Sequence, residues 1–91
     1  MIRSCRDAQT QRVLDRIPSR RFQAVQDRAE ERLALLHAAT TLLDLGLPSL
    51  RLEKLVGDRK GQYSIRINDQ YRVCFEWRGG DAYDVEIVDY H

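Results

Sequence analysis

The hydrophobic period of this chain changes once, after Leu50, from three- and four-residue steps to alternation. Side chains on a helix share a face every 3.6 residues and those on a strand every two, so one such change divides the chain into a helical part and a sheet part. Phe22, Val25, Ala29, Leu33 and Leu36 form one apolar stripe, opposite Asp27, Arg28, Glu30, Glu31 and Arg32. That pattern predicts a helix with one buried face. An earlier helix is expected from an Asp7 cap to about Arg16, burying Ala8, Val13, Leu14 and Ile17. Pro18-Ser19 interrupts the chain, and Ser19 is the expected cap of the striped helix, so the two helices form a hairpin. Leu42–Gly46 reads as one further turn stopped by glycine.

The second part alternates. Tyr63, Ile65 and Ile67 form one apolar set, Tyr71, Val73, Phe75 and Trp77 a second, and Tyr83, Val85 and Ile87 a third. Asn68-Asp69 and Gly79-Gly80 fit the short turns that join antiparallel neighbours. Residues 2–6 and a segment near Arg51–Leu55 read as further short strands, and Gly57–Gly61 as a loop. The expected fold is α+β, an N-terminal helical hairpin packed on a twisted, mainly antiparallel sheet. The helices take the aromatic and aliphatic face, leaving Arg66, Arg72 and Glu76 on the other.

With 91 residues the chain has room for a single domain, 1–91, built on one two-layer core. Hydrophobic residues at 43% and charged residues at 32% exclude a disordered polyelectrolyte. No apolar run approaches the roughly 20 residues that cross a bilayer, and the start lacks the apolar stretch of a signal peptide. Cys5 and Cys74 lie far apart and form no CxxC pair, which fits reduced packing thiols in a cytoplasmic protein. Closely spaced Cys/His pairs are missing, so neither a metal nor a cofactor is expected.

A net charge of +1 conceals an uneven distribution. Arg51, Lys54, Arg59, Lys60, Arg66 and Arg72 make the middle basic, whereas Glu76, Asp81, Asp84, Glu86 and Asp89 make the end acidic. A basic middle permits phosphate or RNA binding, and a solvated strand face accounts for it equally well. An arginine on a strand offers a rigid, permanently charged fork for a phosphate, and Arg72 has that position. Lys54, Arg59 and Lys60 approach from the preceding strand and loop. The terminal Asp89, Tyr90 and His91 add an acid, a phenol and an imidazole that titrates near neutrality. Together these residue types suit metal-free RNA cleavage, in which one group takes the 2′-hydroxyl proton, cations stabilise the phosphate and another group protonates the leaving 5′-oxygen. The plainer reading makes Arg72 an exposed cross-strand partner of Glu76 or Glu86, Gly57–Gly61 ordinary turn chemistry and the tail a solvated end.

The stretch Leu52–Val73, containing Gly57-Asp58-Arg59-Lys60-Gly61 and the pair Tyr71-Arg72, resembles the HigB branch of the RelE/ParE toxin superfamily. The ending Gly80–His91, closed by Asp89-Tyr90-His91, and the opening Met1–Ser4 extend the resemblance over essentially the whole chain. It implies a toxin of a type II toxin–antitoxin system that cuts messenger RNA on the ribosome. A helix-turn-helix antitoxin of HigA type would hold it inactive, and DNA would be reached only through that antitoxin. By position, Arg72 would bind the scissile phosphate, Asp89 and His91 would serve as acid and base, and Tyr90 would stack on or position the nucleotide. Two residues depart from the pattern. Glu53 stands where relatives have a histidine and would be a general base, and Val56 stands where many have a lysine, a cation that Lys54 or Lys60 would have to replace. Two other classes stay open: gyrase inhibition, as in ParE relatives, which the Asp-Tyr-His ending argues against, and an inactivated toxin that only binds its antitoxin, which Glu53 and Val56 keep in view.

Overall fold

The computed structural model describes residues 1–90, and its sheet is an antiparallel meander of four strands in chain order: β1 Glu53–Lys54, β2 Gln62–Arg66, β3 Tyr71–Arg78 and β4 Asp81–Asp89. Helices α1, Ala8–Leu14, and α2, Gln26–Ala38, contact each other and β4. Val13, Phe22, Ala29, Leu33 and Leu36 are buried in one cluster with Ile65, Ile67, Val73, Phe75, Val85 and Ile87. Helical stripe and alternating strands thus meet as their periods predict. Residues 2–6 form no continuous strand; Ile2 and Cys5 make isolated parallel bridges to Ala82 and Val85 along the free edge of β4. These bridges lie outside the four-stranded sheet, whose pairings are all antiparallel.

The helix boundaries differ from those expected, for identifiable reasons. Asp7 does cap α1, its Oδ1 accepting the Thr10 N–H at 2.6 Å. The buried positions of α1 are Thr10 and Val13, however, while Ala8 and Ile17 are exposed. Ser19 does not cap α2. It is buried, its hydroxyl donating to Gln9 Oε1 at 2.7 Å and its N–H to Gln26 Oε1 at 3.1 Å. Residues 19–25 therefore form a connection that inserts Phe22 into the core, and α2 starts only at Gln26, with no side-chain cap. Leu42–Leu45 is a short 3-10 turn closed by a reciprocal Thr41/Asp44 capping box. Gly46 follows with a φ of −79°, so it needs no glycine-specific conformation.

One strand expectation is corrected by a β-bulge. Cys74 pairs with Glu86 and Glu76 with Tyr83, so β4 carries an additional residue in this interval. Asp84 has a φ of +52°, a left-handed conformation that aspartate tolerates better than most residues. The bulge shifts the alternation. Ala82, Val85 and Ile87 are buried, whereas Tyr83 is half-buried with the Arg78 guanidinium 4.0 Å from its ring centroid. Gly79 and Gly80, at φ 57° and 83°, make the two-residue turn between β3 and β4, where both positions need positive φ. The β2–β3 hairpin is longer, its turn held by Asn68 Oδ1, which accepts the Gln70 and Tyr71 N–H groups at 2.9 and 2.7 Å.

Candidate active site

Cross-strand pairing places Glu53 opposite Ser64, Ser64 opposite Cys74 and Arg66 opposite Arg72. Directly paired residues project to the same side, so Glu53, Ser64, Arg66, Arg72 and Cys74 share the face away from the helices. Arg72 is not displayed there as an exposed residue, as the alternation suggested. It is 8% exposed. Its Nε donates to Ser64 Oγ at 2.8 Å and its Nη2 to the Arg51 carbonyl at 2.6 Å. The Ser64 carbonyl lies 3.4 Å from Nη2. Nη1 lies 4.0 Å from Glu53 Oε1, and the guanidinium carbon is 5.7 Å from the centroid of the Tyr90 ring.

A buried guanidinium is costly unless its N–H groups have partners. Ser64 Oγ and the Arg51 carbonyl supply neutral acceptors that hold one edge of the fork and leave its full positive charge. Arg51 offers its carbonyl from a left-handed backbone, φ 44° and ψ 54°, at the end of the 3-10 turn Pro48–Leu50. Outside the left-handed region that carbonyl would point elsewhere. Ser64 is not among the site residues expected from the sequence, and Arg51 enters there only as one basic residue of the middle, not through its carbonyl. Ser64 carried one usable signal, a small polar residue between Tyr63 and Ile65 in phase with Arg66. The conformation of Arg51 carried none.

The other expected residues divide into those the fold gathers near Arg72 and those it does not. Glu53 lies beside Arg72 with its side chain 55% exposed, on the two-residue edge strand β1. Tyr90 covers Arg72, and its N–H donates to the Gln70 carbonyl at 2.6 Å, so the chain is anchored as far as that residue. Asp89 pairs with Tyr71, as Val73 does with Ile87, which assigns it by register to the helical side; Gln70 Nε2 donates to its Oδ2 at 3.1 Å. His91 lies outside the described residues. Lys54 pairs with Tyr63 and so alternates away from Glu53, while Lys60 is exposed on the loop after Gly57–Arg59. Arg59 donates to Gln62 Oε1 and Glu86 Oε1, each at 3.1 Å, and Arg6 lies 3.9 Å from Glu86. Arg66 pairs with Asp69. Val56 is 84% exposed.

Arg59 and Arg66 are thus largely compensated by carboxylates, and Glu86 engages Arg59 and Arg6 rather than Arg72. Cys74, between Ser64 and Glu86 on this face, is buried, and that burial pushes its thiol pKa up. A raised pKa keeps it protonated and poorly nucleophilic. Among the described residues no group of three His, Cys, Asp or Glu side chains is arranged to hold a metal ion. The clefts among the helices, including one lined by Leu14, Glu30, Ala34 and His37, lie away from Arg72. The Arg72 face is a charged surface whose buried guanidinium can meet an anionic group.

Residues 6–91 match the family model for the RelE-like toxin of the type II toxin–antitoxin system HigB. The chain belongs to the HigB-like toxin family. The chain is similar to Endoribonuclease HigB of Proteus vulgaris, 37% identical over 65 residues that cover 71% of each protein. It is also similar to Toxin HigB-1 of Vibrio cholerae serotype O1, 40% identical over 60 residues, which cover 65% of this chain and 63% of that toxin. Membership implies an antitoxin protein as partner. No helix among the described residues is long and apolar enough to cross a membrane.

Proposed function

We propose that this HigB-like toxin is an endoribonuclease that cuts messenger RNA on the ribosome by metal-free acid–base chemistry. The observation that carries this reading is the anchored Arg72 guanidinium, charged, nearly buried and bordered by Glu53 and Tyr90. The Proteus relative's name supports the reaction class. A base removes the 2′-hydroxyl proton, and the 2′-oxygen attacks the adjacent phosphorus as the bond to the 5′-oxygen breaks. An acid protonates that departing oxygen, leaving a 2′,3′-cyclic phosphate and a 5′-hydroxyl. Arg72 stabilises the charge that develops on the phosphoryl oxygens. Glu53 and His91 provide the acid and base, and Tyr90 stacks on or orients the nucleotide, while Asp89, which register assigns to the helical side, acts through the tail it carries rather than at the phosphate. Arg59, Lys60 and Arg66 draw the RNA backbone toward the face, Lys60 most strongly, because Arg59 and Arg66 already pair with carboxylates, and Lys54, alternating to the other side of β1, adds only a more distant positive charge.

The size of the protein supports ribosome dependence as part of this reading. A small open surface holds flexible RNA poorly, so a decoding site that presents the message in one orientation supplies much of the rate. The antitoxin is a helix-turn-helix protein of HigA type, DNA is reached only through it, and the toxin works in the cytoplasm. Cleavage of a ribosome-bound message by the purified chain, without added metal, tests the reading against Arg72→Ala and deletion of His91. Cuts within codons that vanish in both variants are expected. Absence of cutting by wild type, with tight antitoxin binding intact, would point to gyrase inhibition or to a toxin inactivated at Glu53 and Val56.

A further inference from the structure

The hydrogen bonds of Arg72 do more than compensate its burial. Ser64 Oγ accepts the hydrogen bond of the single Nε–H, and the Arg51 carbonyl accepts one from Nη2–H. These contacts occupy the Nε/Nη2 edge, the edge most often used for side-on, two-point binding of an oxyanion. What remains toward the face is the Nη1 end, beside Glu53 Oε1 at 4.0 Å and under the Tyr90 ring. Ser64 is completely buried, on the strand next to that of Arg72 and diagonal to it, two register positions from directly opposite, and its hydroxyl and carbonyl both face the same guanidinium. A serine so placed sets the rotation of the guanidinium about its last bond.

We propose that Ser64 is a positioning residue of the nuclease, fixing Arg72 so that it meets the scissile phosphate end-on, through Nη1. This rests on the nuclease reading above. Ser64 touches neither substrate nor reacting atoms and acts only through Arg72. Without the hydroxyl, the guanidinium can turn on its stem, and small misplacements of a charged group cost large factors in rate. The hydroxyl, and not merely side-chain volume, carries the effect.

The test is a set of single-turnover cleavage rates on a programmed ribosome, joined to a spectroscopic readout that needs no substrate. Ser64→Ala is expected to lower the saturating rate by about tenfold or more, with the half-saturating toxin concentration changed by less than about twofold. Ser64→Thr, which keeps the hydroxyl, is expected to recover most of the rate. In an Arg72→Lys background, which has no Nε–H to hold, Ser64→Ala should add nothing. In nitrogen-15 spectra the Arg72 Nε–H of the wild type should exchange slowly with water, and this protection should be lost in Ser64→Ala. An unchanged Ser64→Ala rate, or an equal loss in both Arg72 backgrounds, would overturn the proposal. If wild type cuts nothing, the nuclease reading fails, and a protected Arg72 Nε–H would still establish that Ser64 holds the guanidinium. If Ser64→Ala does not fold, rapid exchange at that Nε–H in the wild type would overturn it by itself.

Discussion

Arg72 shows how differently one residue reads in a sequence and in a fold. Alternation assigned it to the polar face, which is correct, and polar faces are normally exposed, which Arg72 is not. Its burial depends on Arg51 and Ser64, from two other segments, offering acceptors at hydrogen-bond distance. Arg59 shows the reverse, a cation that looked available for RNA and is engaged by Glu86. Val56 is the residue at which this site invites repair. It is 84% exposed, so a longer side chain meets no packing constraint. Val56→Lys should leave the melting temperature unchanged and raise the rate of message cleavage, because it adds a cation beside the loop that carries Lys60. A cleavage rate equal to or below wild type would remove Val56 from the account of activity. Cys5 belongs to the same scale. Burial, reinforced by Asp7 and Asp15, raises its thiol pKa to about 11. Alkylation by iodoacetamide at pH 8 should therefore be much slower for the folded chain than in denaturant. Equal rates would show the thiol to be ionised and open.

Among the elements, the turns carry the most specific chemistry. Asp44 accepts from the Thr40 N–H at 2.9 Å, the Thr41 N–H at 3.1 Å and the Thr40 hydroxyl at 3.1 Å. The backbone bond from Thr40, followed by that from Thr41, holds its carboxyl pKa below the ordinary value. A depressed carboxylate pKa contributes stability above the unfolded value, and that contribution is lost as pH falls through the folded one. Asp44 should titrate below normal by carbon-13 NMR, and the Leu42–Leu45 turn should loosen only in acid. A normal titration would mean that the capping box does not persist in solution. The β3–β4 hairpin gives a second case. A Cβ at Gly79 meets no atom within 4 Å, yet φ there is +57°. Gly79→Ala should therefore cost about 1–2 kcal/mol through backbone conformation alone, measurable by urea denaturation. No loss would imply that the turn relaxes to another type.

At the scale of the molecule, the sheet and helices are joined by packing and by polar contacts, among them Arg32 Nε to the Arg66 carbonyl at 2.8 Å and a fully buried one. Thr10 of α1 is fully buried, and its hydroxyl accepts the Ile87 N–H of β4 at 3.1 Å. Thr10→Val keeps the shape and leaves that N–H without this acceptor, so it should destabilise the chain by about 1–3 kcal/mol in a urea titration. A neutral result would show that Ile87 finds another partner. The sequence alone determined the two-layer architecture, the meander, the Asp7 cap and the side of the sheet on which Arg72 lies. Each is a local or periodic property, encoded by residues within a turn or two of one another. Only the tertiary structure decided the start of α2, because Ser19 bonds to Gln9 and Gln26 instead of capping. It alone placed the bulge at Asp84 that turns Tyr83 away from the core. It also decided how Arg72 is held. The left-handed Arg51, Ser64 on the next strand and Tyr90 near the end of the chain meet at one guanidinium, and contacts between residues so far apart leave no period in a sequence.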